Sequence, residues 1–170
     1  MKVTSAQAAK MLRKLEDDMD GILTNETNSR EFLAAVGEDV ESVRPVYNYA
    51  EAQKKLVDIE NRIRTLKHAM NVFNSTQEVP GFGMTIDQML IYLPQLSRRR
   101  EKLRGMKSIL PKAREESRIG RTPSNIIDYR YANYDIAEVE KDYNELSDTL
   151  AKAQTALDTV NSTVTFDIEL

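Results

Sequence analysis

Residues 49–73 read YAEAQKKLVDIENRIRTLKHAMNVF, and the fold turns on how this stretch is understood. After Tyr49, the residues Ala52, Leu56, Ile59, Ile63, Leu66, Met70 and Phe73 follow at alternating spacings of three and four. Apolar residues at that spacing make a heptad seam, and charged residues fill most of the other faces. The pattern predicts one long helix with a narrow apolar edge. Such an edge has to be covered, so the rest of the chain must supply its partners.

A second seam lies near the other end of the chain. Ile136, Val139, Tyr143, Leu146, Leu150, Ala153, Leu157 and Val160 repeat the same spacing without a break. Asp135 and Glu138 have capping spacing at its start, as Asn48 and Glu51 have ahead of residue 49. Two further helices complete the set. Thr4 with Gln7 forms a capping-box pair ahead of Ala8, Leu12, Leu15, Met19 and Ile22, a shorter seam that ends near Gly21 to Asn25. Thr85 with Gln88 opens a helix with a less regular stripe: Ile86, Met89, Leu90, Leu93, Leu96, Leu103, Met106 and Leu110. Pro94 is expected to kink that helix by removing one amide donor, and Pro111 to weaken or end it.

The predicted helices therefore cover about residues 5–24, 49–74, 86–112 and 136–160. Between the second and third, Pro80, Gly81, Phe82 and Gly83 reverse the chain, making an antiparallel hairpin the simplest geometry. Residues 25–47 break the pattern. A structureless loop of that length is unusual in a compact domain, so a helical turn over Arg30 to Val36 closed by Gly37, and an extended run over Val40 to Val46, are expected there. Arg114 to Asn125 is expected to be a connector.

Ile127, Tyr129 and Tyr131 alternate with polar residues, as do Val164, Phe166 and Ile168, and period-two alternation predicts strands over residues 126–132 and 163–169. The second strand would pair with the first or with another subunit. The fold expected is a single, mostly α domain over residues 1–170, an antiparallel long-helix bundle or coiled-coil hairpin with a small β element.

Composition narrows the function classes. A chain of 170 residues with 41% apolar and 30% charged residues suits a packed or coiled-coil protein rather than a disordered one. Without cysteine there is no disulfide framework, thiol nucleophile or thiolate metal site, and a reducing cytoplasm is the expected location. Met1 to Lys10 carries no apolar export core, and apolar runs such as Met89 to Leu93 are far shorter than a membrane span.

No reaction chemistry stands out. His68, the single histidine, has Thr65, Arg64, Asn71 and Val72 as helical neighbours, a poor ligand set for a metal. The pairs Glu138 with Asp142 and Glu145 with Asp148 fit a solvated helix face, and Gly81 with Gly83 fits a turn rather than a phosphate loop. No enzyme, cofactor or metal is expected.

The sharpest local feature is the basic run Arg98, Arg99, Arg100, Lys102 and Arg104. Ser97 to Arg121 holds ten Lys and Arg against three Glu, whereas Thr122 to Leu170 holds three basic and ten acidic residues. Such a run can contact phosphates or an anionic membrane surface, or pair with the acidic last helix or a neighbouring subunit. Consecutive helical residues point about 100° apart, so Arg98 to Arg100 cannot form one flat patch. Asn71 and Asn74, at the end of the long helix, are candidates for a cap or a register-fixing hydrogen bond.

These elements resemble the septicolysin-like family of small bacterial helical proteins. The features that carry the resemblance are the heptad helix ending in Asn71 to Asn74, the start Thr85-Ile86-Asp87, the aromatic segment Ile127 to Tyr131, and a last helix followed by Asn161 and Asp167-Ile168-Glu169-Leu170. The chain departs from the pattern at Leu93-Pro94-Gln95. The resemblance implies a helical fold, and the family name implies membrane activity. The reading from the residues is a non-catalytic structural or protein-interaction module that self-associates or binds another protein. The alternatives are a nucleic-acid or anionic-surface binder through residues 98–104, and a septicolysin-like membrane-active protein.

Overall fold

A computed structural model of the protein describes residues 1–115 and 128–169. The fold is mostly helical with small antiparallel strand pairs, as the heptad patterns require. Its contacts gather into two compact units, Met1–Gln77 with Asp158–Leu170, and Glu78–Leu157. No helix among the described residues is long and apolar enough to cross a membrane.

The first unit is built on two long helices. α1 (Ser5–Ser29) opens on the expected capping box: the Gln7 amide donates to Thr4 Oγ1 at 3.2 Å and the Thr4 amide donates to Gln7 Oε1 at 2.9 Å. α1 does not stop near Gly21 but continues to Ser29. A glycine inside a helix costs only about 1 kcal/mol, and Ile22 just beyond it is partly buried against the core. A short helix, α2 (Val40–Val43), follows, and then α3 (Tyr49–Thr76).

α1 and α3 run antiparallel. Lys67 Nζ lies 3.0 Å from Glu16 Oε1, while Glu26 Oε1 accepts from Tyr47 Oη at 2.8 Å and from Gln53 Nε2 at 3.3 Å. The seams meet in a core of Ala8, Leu15, Ile59 and Leu66, with Leu12, Ile63 and Met70 packed against it.

The tail closes this core. β1 (Lys2–Thr4) pairs antiparallel with β6 (Thr165–Asp167), placing Val3 opposite Phe166. The tail strand thus pairs with the start of the chain, not with residues 126–132 or another subunit as expected. Ile168 is buried beside Val3, and the Phe166 ring stacks on Phe73 with centroids 4.5 Å apart.

The connector between α1 and α3 corrects two expectations. Residues 30–36 do not form a helical turn, although Gly37 does take the positive φ, +89°, that a glycine tolerates. Val40–Val43 is helical rather than extended, because Asp39 caps it by accepting from the Glu41 amide at 3.1 Å. Arg44 is extended, as its position before Pro45 demands.

In the second unit, β2 (Glu78–Val79) and β3 (Met84–Thr85) form a hairpin turned by Gly81 and Gly83, both at positive φ. α4 (Ile86–Lys107) starts with the Thr85 amide donating to Gln88 Oε1 at 3.0 Å and runs on through Pro94. It ends five residues before the expected boundary of 112, since Lys112–Arg114 forms strand β4. Pro111 offers no amide to continue the helix, and β4 pairs antiparallel with β5 (Tyr129–Tyr131). The period-two strand therefore exists, with β4 as its partner. Residues 126–127 of the predicted strand, and residues 116–125 of the predicted connector, lie outside the described residues.

α5 (Ile136–Thr163) is capped by Asp135, whose Oδ1 accepts from the Ala137 amide at 2.8 Å. Along it, Val139, Leu146, Leu150, Ala153, Leu157 and Val160 are all buried, which is the predicted seam.

Candidate functional site

The basic run sits on the last half of α4, and its surroundings follow from the heptad register. Counting from Ile86 by threes and fours gives Met89, Leu93, Leu96, Arg100, Leu103 and Lys107. Ile86, Met89 and Leu96 are buried, and Arg100, Leu103 and Lys107 are half-buried. The stripe that looked irregular in sequence is therefore a seam in which two cations replace apolar residues near its end.

α5 runs antiparallel beside that half of α4. Tyr134 Oη donates to the Met106 carbonyl at 2.8 Å, and Lys107 Nζ lies 3.9 Å from Glu140 Oε1 and 4.3 Å from the centroid of the Tyr143 ring. Lys107 is held both by charge and by the ring face.

Between the two helices runs an open groove of about 520 Å³. Leu96 and Leu146, both buried, lie at its floor. Arg99 and Lys102 line it from α4, and Asp142 and Glu145 line it from α5; all four are exposed. Each of these four residues immediately precedes a seam position: Arg100, Leu103, Tyr143 and Leu146. Residues in that place flank the apolar stripe, so one wall is basic and the other acidic.

The walls do not neutralise each other directly. Among the described residues, no carboxylate lies within 4.0 Å of Arg98, Arg99, Arg100 or Lys102, whereas Arg104 pairs with Glu101 at 2.7 Å. The structure thus separates the five predicted residues. Arg99 and Lys102 share the groove, Arg100 enters the seam, Arg98 is exposed away from the groove lining, and Arg104 is tied to its own helix.

Asp142 and Glu145 are site residues that sequence reasoning took for a solvated face. The signal for them in the sequence is their position beside the seam, equivalent to that of Arg99 and Lys102 and opposite in sign.

The other predicted residues lie elsewhere. Asn71 is exposed and Asn74 half-buried in the last turns of α3, which runs past both to Thr76. The bonds that close this helix come from the Gln77 amide to the Phe73 carbonyl at 2.8 Å and from the Ser75 and Thr76 hydroxyls to the Val72 carbonyl. Neither asparagine is the cap. His68 is exposed on α3, and among the described residues no cluster of three or more His, Cys, Asp or Glu is placed to hold a metal ion.

A second groove, in the first unit, lies where α1 meets the start of α3. Asp17, Asp18, Tyr47, Glu51 and Lys55 line it. Loss of hydration raises the Tyr47 phenol above its ordinary range, and its hydrogen bond to Glu26 adds to the effect. Lys55, 2.7 Å from Glu51, lowers the Glu51 carboxyl by hydrogen bond and charge.

No protein-family model matches the chain, and no curated protein matches it. A crystal structure of a functionally unknown conserved protein from Corynebacterium diphtheriae is similar to it, with a TM-score of 0.60 over 98% of this chain and 100% of that one, at 16% sequence identity. At that identity the likeness shows a shared fold.

Proposed function

We propose that this protein is a non-catalytic interaction module that self-associates through its helices in the cytoplasm. One observation carries the reading: the cations Arg98, Arg99, Arg100 and Lys102 have no carboxylate within 4.0 Å among the described residues, although an acidic helix runs beside them. Exposed charge of one sign steers and selects an oppositely charged partner. The cytoplasmic placement rests on the absence of cysteine.

Sedimentation velocity over a range of protein concentrations tests the proposal. A sedimentation coefficient that rises with concentration is expected, and a monomer at every concentration would contradict it.

The same cations, without an ion pair among the described residues, favour a second reading, a binder of phosphate polymers or anionic surfaces. Here the measurement is fluorescence anisotropy of a labelled single-stranded oligonucleotide titrated at low salt, where phosphate contacts are strongest. Binding that weakens as salt is added supports this reading, and no binding at low salt ends it.

A further inference from the structure

We infer that the groove between α4 and α5 is a two-fold interface in which a second copy of this chain lays its own α4–α5 groove face. The inference rests on the self-association reading and specifies where and how the copies meet.

The occupant must satisfy both walls. A polyanion would pair with Arg99 and Lys102 but would be repelled by Asp142 and Glu145 on the facing wall. A uniformly basic surface would meet the opposite difficulty. What fits is a surface with an acidic edge, a basic edge and an apolar strip between them, which describes the groove face itself.

The pattern is self-complementary in a way that fixes the symmetry. A two-fold rotation that lays the α4 wall of one copy on the α5 wall of the other necessarily lays the second α4 wall on the first α5 wall. Both crossings then join Arg99 and Lys102 to Asp142 and Glu145, and the half-buried Tyr92 and Leu103 between the walls lose part of their remaining hydrated surface. Among the described residues these charges make no ion pair across the groove; Glu145 meets Lys141 of its own helix at 3.8 Å, an exposed pair that leaves the carboxylate facing solvent.

Charge reversal with complementation tests the inference. Arg99→Glu with Lys102→Glu makes both walls acidic, and Asp142→Lys with Glu145→Lys makes both basic. Each variant alone is expected to dimerise at least about tenfold more weakly than the wild type, because both crossings become repulsive. An equimolar mixture of the two is expected to give a heterodimer, which sedimentation detects directly. A chain carrying all four reversals regains oppositely charged walls and is expected to form a homodimer.

Circular dichroism reports whether each variant folds. If a one-sided variant does not, the four-reversal chain decides, and a folded monomer there overturns the inference. One-sided variants that dimerise like the wild type overturn the groove interface while leaving self-association standing. A monomeric wild-type protein removes both, and oligonucleotide binding by that monomer would assign Arg99 and Lys102 to a polyanion instead.

Discussion

Leu66 shows most plainly what a seam position is worth. It is fully buried in the α1–α3 core, while Val57, one residue past the seam position Leu56, is 56% exposed on the same helix. Leu66→Ala is expected to lower stability by about 2–5 kcal/mol, through lost transfer energy and the cavity left behind. Val57→Ala is expected to change it by no more than about 0.5 kcal/mol. Urea unfolding of the two variants checks the contrast, which follows from the heptad register.

Titration supplies another test at the level of single residues. The Tyr47 phenol is raised above its ordinary value of 10.0, first by lost hydration and then by Glu26. A raised folded value means that this contribution to stability is fully present below the unfolded value and is lost as pH rises through the folded one. One tyrosine is therefore expected to ionise later than the exposed ones in a phenolate absorbance titration, and Tyr47→Phe is expected to remove that late component. Glu51 has the opposite sign. Lys55 lowers its carboxyl, so its contribution is present above the ordinary carboxylate value and is lost as pH falls through the lowered one.

Among the elements, the helices were legible because amphipathic periodicity is a local signal. All four predicted starts rest on a capping pair that the structure uses: Thr4, Asn48 and Asp135 accept from first-turn amides, and Gln88 accepts from the Thr85 amide. The strands were legible only in part. Alternation marked Tyr129–Tyr131 and the tail because it runs on past the strands themselves, over residues 126–132 and 163–169, whereas Lys2–Thr4 and Lys112–Arg114 each set a single apolar residue, Val3 or Ala113, between two polar ones. The pairing of Lys2–Thr4 with Thr165–Asp167 across most of the chain's length leaves no trace in either segment alone.

The tail strand matters to the core because of what it brings. The stacked pair Phe73 and Phe166 lies at an interplanar angle of 19°. A double-mutant cycle with Phe73→Leu and Phe166→Leu is expected to give a coupling of about 0.5–1.5 kcal/mol beyond the area each ring buries. Additive effects would mean that the tail does not hold the end of α3.

The candidate site was half legible for a related reason. The basic run is contiguous in sequence, but which of its members share a surface depends on the helical turn and on the register of α4 against α5. Arg100 and Lys107 conceal that register by occupying seam positions as cations. Once they are counted as seam residues, Arg99 and Lys102 fall beside the groove, and Asp142 and Glu145 fall beside it on the neighbouring helix.

For the whole molecule, the similarity to the Corynebacterium diphtheriae protein spans 98% of this chain, so the arrangement of elements is shared by a distant sequence. This chain sets a basic α4 against an acidic α5, and in the proposed interface that opposition is used between copies. The most direct test is the solution mass by light scattering at low and high salt. Exposed charges are screened beyond roughly 10 Å at 0.1 M salt, so an interface fixed by opposed walls weakens as salt rises. A dimer mass at low salt that falls toward the monomer at high salt is the expected result, and a monomer mass at both would contradict the account.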